Sequence, residues 1–118
     1  MTDSEPVPPI VVWDIVTVPF PYTDRPTRQR RPALAVRVAS NGLIWVLMIT
    51  SAENRGWPGD VAVAGTATGL PVPSLIRTAK IATVEVSAAR RIGHAPARPR
   101  SAVLGLLRDW LNQIAGEQ

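Results

Sequence analysis

The stretch "RRPALAVRVASNGLIWVLMITS", Arg30–Ser51, decides the fold class. Pro32–Ala39 reads as a strand of apolar and β-branched residues. Ser40–Gly42 follows, and Leu43–Ser51 reads as the return strand. Asn-Gly between two apolar runs is the strongest short signal for a β-hairpin, because Asn and Gly both tolerate the left-handed backbone that such turns need. The near-continuous apolarity of the return strand predicts burial on both of its faces.

Outward from this hairpin, strand patterns dominate. Ile10–Phe20 is β-branched and bounded by prolines, so it is expected to be a strand, and Pro21–Arg31 is expected to be a loop. Ala52–Gly59 is a second loop, Asp60–Gly65 a short strand and Thr66–Pro73 a turn-rich connection. Ser74–Val86 is expected to hold one or two strands, and Arg90–Pro99 reads as irregular. From Ser101 the period changes. Val103, Leu107, Trp110, Leu111 and Ile114 fall on one helical face, with Ser101 as N-cap candidate after Pro99 and Gly116 as C-cap. The expectation is a mainly β (α+β) chain: a small curled antiparallel sheet or barrel capped by a C-terminal α-helix. Residues 1–9 read as a flexible tail and 10–116 as a single domain.

Composition narrows the chemistry. The 118 residues contain no cysteine and one histidine, His94. Thiolate metal sites, multi-histidine zinc sites and catalytic triads are therefore poor candidates. "GTATGLP" lacks the lysine and following helix of a phosphate-binding loop. No metal and no cofactor is expected. The start "MTDSEPVPP" is acidic and proline-rich, unlike a signal or transit peptide, and "LIWVLMI" is too short to span a bilayer, so a cytoplasmic protein without membrane contact is expected. Net charge is +4, and Lys80 is the one lysine among thirteen basic residues. Arg25, Arg28, Arg30 and Arg31 crowd seven positions, a density that suits an anionic partner: nucleic acid, an acidic protein, or both. One reaction needs little beyond arginine and hydroxyl side chains. RNA carries its own nucleophile in the 2′-OH, and a protein that stabilises charge on the phosphate can cleave the strand without a metal.

"WDIVTVPFPYTD" (Trp13–Asp24), "RRPALAV" (Arg30–Val36), "MITSA" (Met48–Ala52), "GLPVPSLIRTAKIATV" (Gly69–Val84) and "RRIG" (Arg90–Gly93) come in that order. Together, over roughly residues 12–114, they resemble the MazF/PemK-like toxins, the ribonuclease half of type II toxin–antitoxin pairs. The resemblance implies an SH3-like barrel with a C-terminal helix and a homodimer. It also implies metal-independent, sequence-selective cleavage of single-stranded RNA to 2′,3′-cyclic phosphate and 5′-OH ends, which would inhibit translation and growth. The partner it implies is an antitoxin whose acidic, disordered tail covers the RNA groove.

By the same resemblance, Arg31 matches the catalytic arginine and Thr50 the catalytic threonine. Ser51 stands beside Thr50, and Arg77 matches a basic position near the site; both are supporting candidates. Asp24, the nearest carboxylate, is carried as a third, although a turn role suits it better. Arg25, Arg28, Arg30, Asn54, Arg55, Trp57 and Lys80 are the candidate RNA-binding residues; Trp57 suits stacking on a base. The chain also departs from the family pattern. Trp13 stands where many members carry glycine, and Ala79 where some carry an aspartate that takes part in the chemistry, so the general base is unassigned. Two other functions fit a barrel of this kind: a gyrase-binding toxin like the CcdB-like proteins, or a catalytically silent relative that binds RNA or antitoxin.

Overall fold

A computed structural model describes residues 9–19, 29–54 and 56–116. Six strands are formed: β1 Asp14–Pro19, β2 Arg30–Val38, β3 Leu43–Ser51, β4 Asp60–Val63, β5 Ser74–Glu85 and β6 Arg90–His94. One helix follows, α1 Ala97–Gly116. They make a single antiparallel sheet in the order β4-β5-β3-β2-β1-β6. The sheet is curled into a half-barrel, and α1 packs against β4 and β5.

Alternation along the strands builds two cores. Ile15, Leu34, Leu47, Ile49 and Ile76 point to one face, where Val103 of α1 completes the cluster. Val16, Val18, Ala33, Val46 and Met48 point to the other, where Val84, Val86 and Ala89 cover them. The burial of β3 on both faces is as its apolar run predicts, apart from Trp45, which stays exposed.

The curl is tight enough for the connection after edge strand β4 to touch edge strand β6. At Gly69, which has φ +71°, an added Cβ would lie 2.0 Å from the Ile92 carbonyl oxygen; at Gly93 it would lie 2.3 Å from the Thr68 carbonyl. Only hydrogen in place of a side chain lets the two backbones approach this closely.

The larger departures from the sequence expectation have identifiable causes. β1 starts at Asp14, not Ile10. Asp14 N–H donates to the Val11 carbonyl, the Asp14 carboxylate accepts from Val11 N–H at 2.8 Å, and the turn so formed puts Trp13 at φ +79°. β2 starts two residues before Pro32, where pairing with β1 extends the strand through Arg30 and Arg31. β6 forms within the stretch read as irregular. Arg91 makes an ion pair of 2.8 Å with Asp14 of β1, a long-range contact that strand propensity does not register. Finally, α1 begins at Ala97 rather than at Ser101. Arg100 N–H donates to Pro96, and Pro99 is accommodated in the first turn, where its missing N–H is not needed.

Candidate active site

The strand pairing brings the principal candidates together. The β2–β3 pairing has Ala33 opposite Met48 as its end pair, and Arg31 on β2 and Thr50 on β3 each lie two residues beyond it. Both then share the sheet face of Ala33 and Met48. On the other side of β3, Thr50 pairs with Leu75 and Met48 with Arg77, which places Arg77 on the same face one step from Thr50. Arg77 pairs in turn with Asp60 of β4. Arg77 reaches this position through an irregularity: Leu47 pairs with Ile81 but Met48 pairs with Arg77, so Thr78, Ala79 and Lys80 are extra residues on β5.

The Thr50 hydroxyl is oriented from the following loop. Asn54 Nδ2 donates to Thr50 Oγ1 at 2.6 Å, which leaves the hydroxyl proton directed elsewhere. Ser51 holds the same loop: its Oγ accepts from Glu53 N–H at 3.2 Å and its carbonyl from Asn54 N–H at 3.0 Å. Ser51 therefore shapes the loop that orients Thr50.

Arg77 is buried, with 9% of its side chain exposed. Its guanidinium lies 4.0 Å from the centre of the Trp57 ring, and Lys80 Nζ lies 6.0 Å from the same ring. Trp57 keeps 44% of its surface exposed. Asp60 lies against the same group, with Oδ2 4.0 Å from Arg77 Nε. The sequence reading placed Asp60 only at a strand start. The turn "WPGD" was its available signal, because an Asp after Pro-Gly often caps its own turn.

Arg30 is placed differently. It alternates with Arg31 along β2 and follows Pro32 and Leu34 to the opposite face. Its Nε donates to Thr17 Oγ1 at 3.0 Å, and its Nη2 donates to the Thr17 carbonyl at 2.6 Å and the Ala88 carbonyl at 2.8 Å. Burial, and secondarily the neighbouring Arg90, lower its pKa below the ordinary arginine value. Arg30 thus braces β2 to β1 and to the turn before β6. The candidates Asp24, Arg25, Arg28 and Arg55 lie outside the described residues.

Among the described residues no three His, Asp or Glu side chains converge as metal ligands, and no helix is long and apolar enough to cross a membrane. The arrangement is cationic and hydroxylic: Arg31, Thr50 and Arg77 on one face, with an indole at its border. Such a surface can bind a phosphodiester and stabilise added negative charge on it.

Solved structures of other proteins share this fold. MazF from Deinococcus radiodurans superposes with a TM-score of 0.67 at 24% identity, covering 92% of this chain and 99% of that one. A chain of a MazE–MazF crystal structure from the same organism gives 0.66 at 23% identity, covering 91% of this chain and 97% of that one. The Mycobacterium tuberculosis toxin MazF-mt6 gives 0.61 at 22% identity, covering 78% and 89%. No curated protein sequence matches. Residues 12–111 match the family described as the PemK-like, MazF-like toxin of type II toxin–antitoxin systems. With that match spanning most of its length, the chain belongs to the PemK-like, MazF-like toxin family.

Proposed function

We propose that this protein is the toxin of a type II toxin–antitoxin pair and acts as a metal-independent, sequence-selective endoribonuclease on single-stranded RNA in the cytoplasm. The observation that supports this reading is that Arg31 and Thr50 lie on adjacent strands, each two residues beyond the Ala33–Met48 pair, with Arg77 paired to Met48. In this reading the RNA 2′-OH attacks the adjacent phosphorus. The 2′-OH proton passes to solvent water as the new P–O bond forms and the bond to the 5′ oxygen breaks. Arg31 stabilises the charge that builds on the phosphoryl oxygens and donates a proton to the departing 5′ oxygen, regaining it from solvent afterwards. Thr50, its oxygen already accepting from Asn54, donates a hydrogen bond to the phosphate. The products are a 2′,3′-cyclic phosphate and a 5′-OH. A preorganised donor of this kind typically contributes roughly 3–4 kcal/mol to the barrier when removed.

An acidic antitoxin segment fits the same cationic face, and MazE–MazF crystal structures are among the structural relatives. A homodimer is supported by a separate surface. α1 and the sheet line an apolar groove of about 670 Å³ whose walls include Trp110, Leu111 and Ile114 with Trp45 and Ile81. Ile114 is 70% and Leu111 66% exposed, an apolar face that a second copy would cover.

The test is incubation of the purified protein with single-stranded RNA in EDTA, followed by mapping of 5′-OH ends. Scission at a recurring short sequence, lost in Arg31→Ala, is expected. Cleavage that requires added metal, or that survives in Arg31→Ala, refutes the mechanism. Gyrase-dependent DNA breaks without RNA scission would assign the other toxin class.

A further inference from the structure

Asp60 belongs to no reaction step described above, yet it is built into the site. Its side chain is 7% exposed. Oδ2 accepts from Trp57 N–H at 2.8 Å, and Asp60 N–H donates to the Trp57 carbonyl at 3.1 Å, so Trp57–Asp60 is a turn closed from both ends. Gly59, at φ +87°, supplies the left-handed position that this turn requires. The turn is fixed to β5 by Thr78 Oγ1, which donates to the Gly59 carbonyl at 2.7 Å. Thr78 is the residue after Arg77. A single four-residue turn therefore presents an aromatic ring to the flat face of the Arg77 guanidinium and a carboxylate to its Nε edge.

The carboxylate is a poor candidate for simple stabilisation. Oδ1 is buried and has no hydrogen-bond partner among the described residues, and the approach of Oδ2 to Arg77 Nε, at 4.0 Å, is an ion pair rather than a close hydrogen bond. A buried carboxylate with an unsatisfied oxygen is costly, and an apolar side chain of similar size would pack there without that cost. What the carboxylate supplies and an apolar residue cannot is direction. It attracts the Nε side of a planar cation whose face is already confined by the Trp57 ring.

We propose that Asp60 is a positioning residue of this site. It acts through Arg77, holding the guanidinium at the angle in which it meets the phosphodiester, with Trp57 as the second wall of the clamp. The proposal rests on the reading of the site as an RNA-cleaving one, but its first test does not. In Asp60→Asn the turn keeps an acceptor for Trp57 N–H while the charge toward Arg77 is lost. The Arg77 Nε–H resonance of the protein alone should be slow to exchange in the unaltered chain and should exchange at least tenfold faster in Asp60→Asn. Exchange within twofold in the two proteins overturns the proposal.

The second test is single-turnover cleavage of a short oligoribonucleotide containing the mapped site. Asp60→Asn should slow the step about tenfold, while the Kd for the same oligonucleotide with a 2′-deoxy scissile position stays within twofold. In an Arg77→Ala background the same change should alter the rate less than twofold. A tenfold loss in that background as well shows that Asp60 acts independently of Arg77, and overturns the proposal. If the unaltered protein cleaves no RNA but Asp60→Asn still releases the Arg77 signal, the positioning role stands and the endoribonuclease reading falls.

Discussion

Two adjacent arginines of β2 should fail in different ways. Arg30 donates three hydrogen bonds, to Thr17 Oγ1, the Thr17 carbonyl and the Ala88 carbonyl. A hydrogen bond from a charged donor is worth roughly 1.5–3 kcal/mol net when buried. Arg30 is half-buried, and the carbonyls it releases can be hydrated, so the three together are better set at about 2 kcal/mol in Arg30→Ala. For a chain of this length that corresponds to a fall of roughly 8 °C in Tm. Arg30→Lys should recover little, because one ammonium cannot span Thr17 and Ala88 as a planar fork does. The assay is thermal unfolding followed by circular dichroism, paired with RNA cleavage well below both midpoints. Arg30→Ala should cleave within threefold of the unaltered rate, whereas Arg31→Ala should lose cleavage. An Arg30→Ala protein that melts normally but does not cleave would refute the assignment of Arg30 as a brace.

Further outcomes follow from the same geometry. Gly93→Ala places a methyl group 2.3 Å from the Thr68 backbone, and urea unfolding should show a loss of roughly 3 kcal/mol from this overpacking; a change below 0.5 kcal/mol would contradict the close approach of the two sheet edges. At Trp13, with φ +79°, both Gly and Ala lose the packing of the indole against the core, but only Ala retains the left-handed strain. Trp13→Gly should therefore be about 1 kcal/mol more stable than Trp13→Ala, and equal stability would contradict it. Asn54→Ala removes the donor to Thr50 Oγ1 and should slow cleavage about tenfold with RNA affinity unchanged, as read by single-turnover kinetics; an unchanged rate would remove Asn54 from the site.

Where the residues themselves carried the signal, the fold was legible. The Asn-Gly turn and the double-sided apolarity of Leu43–Ser51 gave the central hairpin, and helical spacing around Val103 and Leu107 gave α1. What escaped depends on partners distant in sequence. "RRIGH" has no strand pattern of its own and becomes β6 because β1 offers pairing and Asp14 offers a charge for Arg91. "IVVWDIV" reads as one strand, but the Asp14 carboxylate turns back to the Val11 N–H and breaks it. Arg31 and Thr50, the proposed catalytic pair, are named from the family resemblance. The division of labour between Arg30 and Arg31 could not be read from sequence, since it rests on the alternation of faces once the strand is known to include both. That Asp60 faces Arg77 across β4 and β5 was not legible, because local sequence does not encode this register.

The central claim is that Arg31 and Thr50 act on one phosphate from opposite strands. It is tested most directly by a double-mutant cycle in single-turnover RNA cleavage under EDTA, using Arg31→Ala, Thr50→Val and the pair. Each single change should cost about 10²–10³ in rate, and groups serving one transition state should be strongly non-additive, so the double variant should fall within tenfold of the weaker single. Losses that multiply fully would show two independent roles and contradict the shared site.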